Sequence, residues 1–350
     1  MNYGISILFR AIPLLMAAVC FGYGGYIFSA GGDAARLTAG PVIFFLGSIC
    51  LALYATAATI IRQLIHTYNN TVKYLLPIMG YAVALCTFIF GLVMFVRQGD
   101  ASFFVSGHVV CGLGLIAMCV STAATASTGF RLIPENSASR EGSGPNPAGF
   151  SSAEVSVLVG FTIFVALVAW VWAAVLLSHG RFAPHFVAGC VMGGIACVCT
   201  SLVALVASIA RQVRGVYTRR EKGLWIWLVL GMGCLAFAGG LAVIIAAWGR
   251  NVDFVGFVLI GLGLISFSIS SKVILLAKTW RADCPLASRI PIIPVATALT
   301  CLFMAAFLFE EALFKTKFFV PSRVLVGFGA ICFTLYSIVS ILESGTSKAK

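Results

Sequence analysis

Apolar residues run through this chain in long blocks, broken by short polar stretches. Ten blocks meet the roughly 20 consecutive apolar residues that a helix needs to cross a bilayer. They fall near residues 5–30, 41–61, 74–96, 105–128, 155–178, 185–210, 223–248, 254–277, 290–309 and 320–342. The pattern predicts an all-α integral membrane protein with ten transmembrane helices, one membrane domain over 1–350. The first block is too long for a signal-peptide core and nine more follow it, so it reads as a span. The polar stretch IPENSASREGSGPNPAGFSS, within 129–154, is rich in Ser, Gly, Pro and Asn. It reads as a flexible cytoplasmic linker.

One phrase recurs in every second block. It reads LTAGPVIFFLGSI at 37–49, FVSGHVVCGLGLI at 104–116 and FVAGCVMGGIACV at 186–198. VGFVLIGLGLI at 255–265 and VPSRVLVGFGAI at 320–331 complete the set. The copies align on Val42, Val109, Val191, Val258 and Val324. Two positions earlier stand Gly40, Gly107, Gly189, Gly256 and Ser322; five later stand Gly47, Gly114, Ala196, Gly263 and Gly329. The last column repeats at intervals of 67, 82, 67 and 66 residues. The unit is therefore a two-helix hairpin, written five times in one orientation over about 1–66, 67–133, 134–215, 216–284 and 285–350.

Residues seven apart lie within about 20° of each other on a helix. Each even-numbered helix thus carries a stripe of small residues. In lipid, helices associate through close packing, and small residues let backbones approach. The stripe is expected to be a helix-packing code. Parallel repeats are related by an axis along the membrane normal, which suggests a pseudo-fivefold ring with the Gly-rich even helices inside. The odd helices, with Trp170, Trp172, Trp225 and Trp227, would face lipid.

Composition changes the picture mainly by exclusion. Charged residues make up 10% of the chain and hydrophobic ones 61%, too little charge for a soluble surface. The formal net charge of +12 is unevenly placed: sixteen of the 23 Lys and Arg fall on the side of both termini. The positive-inside rule then puts both termini in the cytoplasm. The basic run RQVRGVYTRREKG at 211–223 reads as a topology anchor at anionic headgroups, not as a nucleic-acid patch. Eleven of the 12 cysteines lie in predicted spans, with Cys284 in a loop; within a span Cys acts as a small hydrophobe. No cofactor motif, metal site or catalytic constellation is present, and no enzyme activity is expected. The implied partners are the lipid bilayer and small ions or protons, and the oligomeric state is not legible.

One column of the phrase varies: Pro41, His108, Cys190, Phe257 and Arg323. With His179, His185, Glu310 and Glu311 it falls at the extracytoplasmic mouth. Histidine, with an unperturbed pKa of about 6.5, changes charge as the outside acidifies. His108, then His185 and His179, are the pH-sensing candidates; the competing reading makes them interfacial residues bonded to headgroups or water. Glu310, Glu311 and Arg323 are expected to form an ion pair fixing the last hairpin, or else to titrate. Lys272 is expected to snorkel toward the cytoplasmic end. Ser121, Thr122, Thr200, Ser270, Ser271 and Ser337 either line a path or bond back to their own helices.

FVSGHVVCGLG at 104–114, FVAG at 186–189, SRIPIIPV at 288–295 and PSRVLVGFGAICFTLYSIVSILE at 321–343 carry a resemblance. Through them the chain resembles, end to end, the YhiM family of enterobacterial inner-membrane proteins. The resemblance implies an inner-membrane location and a link to survival in acid. It carries over no functional residues. Two readings follow. The first is a channel or transporter for a small ion or solute, with pH-dependent activity tied to acid stress. The second is a non-transporting membrane scaffold or partner-binding protein of the stress response. A continuous polar path between the even helices favours the first, and a closed core favours the second.

Overall fold

The structure, a computed structural model, describes residues 3–64, 69–96, 101–129, 150–180, 182–214, 216–247, 252–278 and 289–346. Most of the linker at 129–154, and Cys284, lie outside the described residues. Ten long helices fill the rest: α1 (Tyr3–Ser29), α2 (Ala34–Leu64), α3 (Asn70–Val96), α4 (Ala101–Ser127) and α5 (Ser152–Ser178), then α6 (Ala183–Val213), α7 (Arg219–Ala246), α8 (Val255–Lys278), α9 (Ile292–Phe314) and α10 (Phe319–Thr346). All ten are long and apolar enough to cross a membrane. Helices are forced here, because hydrocarbon offers no partner for an open backbone N–H or C=O.

Local chemistry sets several helix ends. Ser151 and Thr218 accept from the backbone N–H of Glu154 and Glu221, whose carboxylates bond back, closing capping boxes on α5 and α7. Pro184 stands in the first turn of α6, where its missing N–H costs nothing. Gly31 and Gly32, at φ +56° and +95°, turn the chain from α1 into α2 with backbone angles that favour glycine.

Burial separates the helices into two classes. The hydrophobic windows of α2, α4, α6, α8 and α10 are 78–89% buried, and those of α1, α3, α5, α7 and α9 only 22–33%. Each even helix packs on the odd helix before it, and the even helices touch in the order α2–α4–α6–α8–α10–α2. The odd helices turn large apolar side chains outward, among them Phe164, Trp227, Ile245 and Phe303. Trp227 is 75% exposed. Trp170 instead donates to Thr200 Oγ1 at 3.0 Å, and the Trp172 ring lies 5.7 Å from that of His108.

The glycines serve two seams. Gly40 and Gly47 lie against α1, Gly107 and Gly114 against α3, and Gly189 against Leu177 of α5. Gly256 and Gly263 lie against α7, and Gly329 against Leu302 of α9. This first seam joins the two helices of a hairpin. A methyl group at Gly107 would sit 2.8 Å from Phe95 N, and one at Gly114 2.9 Å from Phe88 Cα. A second glycine, three residues after the aligned valine, faces the next even helix. Ile195 lies over Gly112, Leu262 over Gly194, Phe328 over Gly261 and Leu46 over Gly327. In α2 the equivalent residue is Phe45, whose ring packs 4.9 Å from Phe90. Residues two apart point about 200° away from each other, so Gly112 and Gly114 hold two different neighbours.

Candidate functional site

The aligned valines converge at the end of the bundle where the hairpins turn. Val42, Val109, Val191, Val258 and Val324 surround one cavity of about 350 Å³ between the five even helices. One turn closer to the rim stand Thr38, Val105, Val187, Phe254 and Val320; one turn deeper stand Leu113, Ile195, Leu262 and Phe328. Thr38 spends its hydroxyl on Ala34 O at 2.9 Å, so the funnel is apolar throughout.

Below the funnel the same face of the even helices continues as buried apolar residues. Leu46 holds the equivalent position on α2. Beneath it come Ile49, Ile116, Val198, Ile265 and Ile331, then Leu53, Val120, Leu202, Ile269 and Leu335. Every residue of these three layers is at most 5% exposed. None of the six hydroxyl candidates lines the funnel. Ser121 donates to Ala117 O, Thr122 to Met118 O and Thr200 to Ala196 O, at 2.8, 2.9 and 2.8 Å. Ser270, Ser271 and Ser337 donate three residues back, to Phe267, Ser268 and Thr334, at 2.7, 2.6 and 2.8 Å. Each hydroxyl satisfies itself on its own helix, as such groups do in apolar surroundings.

Two of the histidines sit beside the funnel, in an aromatic pocket. His108 is 3% exposed, with its ring 4.7 Å from Phe95, 4.3 Å from Phe104 and 5.7 Å from Trp172. Its Nδ1 lies 2.7 Å from Phe104 O. A carbonyl only accepts, so Nδ1 carries the hydrogen. His185 stacks on the other side of Phe104 at 4.6 Å, and its Nδ1 is buried with no partner among the described residues. His179 is exposed at the end of α5, its Nδ1 3.0 Å from Val175 O, and its ring is 6.1 Å from His185.

The acidic candidates lie elsewhere. Glu311 pairs with Lys315 at 3.0 Å and Glu310 is exposed. Among the described residues neither forms the expected ion pair with Arg323. That guanidinium instead lies 3.5 Å from the Phe319 ring centre and 4.6 Å from that of Phe309, and donates to Phe319 O at 3.1 Å. One helical turn separates Glu311 from Lys315, and that local pair wins. The last hairpin is held by a bond the spacing did not suggest. Lys317 grips both carboxylate oxygens of Asp253 at 2.8 and 2.7 Å, tying the 3-10 turn Thr316–Phe318 to the start of α8.

Lys272 does not snorkel; it is 2% exposed, and among the described residues no ion pair includes it. Its position on α8 turns it into the bundle, where a long stem has no route to the surface.

A family described as "Protein of unknown function (DUF2776)" matches residues 1–347. The "Inner membrane protein YhiM" of Escherichia coli (strain K12) is 42% identical over 349 residues, spanning 99% of this chain and 100% of the relative.

Proposed function

The chain belongs to this family, and from that premise we propose that its five hairpins are parallel repeats in a pseudo-fivefold ring that does not transport. In this reading it is a membrane-embedded module that holds a partner or ligand in the inner membrane. The observation that carries it is the run of three apolar layers, every residue at most 5% exposed, that continues the funnel-facing register of the even helices. A hydrated ion entering such a column loses its water and gains no dipole in return, a cost of many kcal/mol. Purified protein in liposomes should show no proton or potassium flux above empty liposomes at pH 5 or pH 7. A protein-dependent flux at neutral pH overturns the reading.

One observation favours the channel reading. A narrow apolar constriction in line with an open vestibule is how a dewetting gate is built. The pocket of His108 adjoins that vestibule through Val105 and Val109 on α4. The rings of Phe95 and Trp172 face it from α3 and α5, and His185 and His179 are its titratable neighbours among the described residues. In this version acid opens the gate, and the link to acid stress follows. Flux that appears only at pH 5, and disappears when His108, His179 and His185 are all replaced by Gln, would establish it.

The orientation is part of the same proposal. The basic excess on the side of both termini supports a cytoplasmic placement, with the funnel opening outward. A reporter active only in the periplasm, fused after Lys350, should stay silent; activity there reverses the orientation.

A further inference from the structure

We propose that the funnel binds one alkyl chain of an amphiphile, whose polar head rests at the hairpin-turn rim. The inference rests on the cavity itself and goes beyond the question of transport. At about 350 Å³, the space is more than twice the roughly 150 Å³ of an apolar cavity that takes up benzene. Its shape narrows the class. Along α6 the lining extends from Ala183 to Ile195, twelve steps or about 18 Å at ~1.5 Å per residue. An apolar-walled space of this depth matches the length and chemistry of an extended polymethylene strand.

A second space adjoins the funnel at its rim. Of about 550 Å³, it lies between the α5–α6 and α7–α8 hairpins against Phe186, Val243 and Ala246. It shares Ala183 and Val252 with the funnel, so the two spaces abut. The rim says less about the head. Asp33 lies 3.8 Å from Arg36, and Asp253 2.7 Å from Lys317. With Arg36 and Lys317 matched by carboxylates and the Arg323 guanidinium covered by the Phe319 and Phe309 rings, the site discriminates weakly on head-group charge and reads the chain.

The test uses the full-length protein in an amphiphilic polymer, titrated calorimetrically with alkanoates and alkyltrimethylammonium salts from eight to eighteen carbons. One chain should bind per protein. Affinity should rise roughly fourfold per methylene, equivalent to about 0.8 kcal/mol per buried CH₂. It should level off near about fourteen carbons, where a chain advancing ~1.25 Å per carbon, for a C–C bond near 1.5 Å, fills the depth. The two head groups should agree within about threefold. Val109→Phe and Val258→Phe should each weaken binding at least ~tenfold by filling the cross-section. Absence of saturable binding, or affinity that keeps climbing past eighteen carbons, overturns the proposal. So does binding indifferent to the filled layer in a variant that melts normally. If a variant does not fold, the chain-length limit of the unaltered protein decides. Native mass spectrometry separates the sources: a diacyl phospholipid displaced by dodecanoate identifies a bilayer lipid as the occupant. Uptake of dodecanoate with nothing displaced identifies a free single-chain amphiphile.

Discussion

Gly114→Leu and Gly263→Leu should each cost about 3 kcal/mol or more, or prevent folded protein from accumulating. A Cβ at Gly114 would lie 2.9 Å from Phe88 Cα and N, and one at Gly263 2.9 Å from Phe237 N and 3.0 Å from Gly233 O. These neighbours are mainly backbone, so no rotamer change can make room. The two helices of a hairpin would have to part along their whole contact, and in lipid that contact is what holds them. By the scaling for larger domains, 3 kcal/mol corresponds to a fall of roughly 6–12 °C in melting temperature. Gly231→Leu is the control, because a methyl there meets nothing within 4 Å; it should leave melting unchanged or raise it slightly, since Leu is the better helix former. Equal melting for all three variants would mean that the close approach contributes nothing to stability.

Leu113→Ser combined with Leu262→Ser should turn a sealed protein into a leak. Both leucines are 1% exposed and belong to the layer that closes the funnel floor. Apolar constrictions exclude water by dewetting, and a polar ring readmits it. Two hydroxyls in that layer extend the wet region a turn deeper, leaving two apolar layers as the barrier. Potassium flux from loaded liposomes should rise roughly tenfold over the unaltered protein. Removing two buried leucines also destabilises, by an amount of order 2–5 kcal/mol each in soluble proteins, so the variant must first be shown to melt cooperatively. A folded double variant that stays tight would place the seal at the layers of Ile265 and Ile269.

How much of the candidate site could be read in advance depends on the residue. The valine column was visible as the one position identical in all five copies, yet it served only as an alignment mark. Identity without variation gave no hint that these valines wall a cavity. The variable column drew attention to His108 and Arg323, and both do sit between neighbouring helices. Their partners were not legible, because aromatic packing against Phe104 or Phe319 leaves no spacing rule. Lys272 was misplaced for a related reason. Snorkelling is judged from depth, and depth along a helix says nothing about which way the side chain points.

The ten helices were determined by sequence alone, because a bilayer demands a length and a hydropathy that can be counted. The small-residue stripe was likewise readable, since i and i+7 share a face on any helix. Which neighbour each glycine meets was decided only by the tertiary structure. A helix that is apolar on every side carries little signal of its own rotation. That rotation is set by the simultaneous fit of five inner helices, each against two inner neighbours and an outer one. Only that joint fit turns Gly112 toward Ile195 and Gly114 toward Phe88, and brings five distant valines around one funnel.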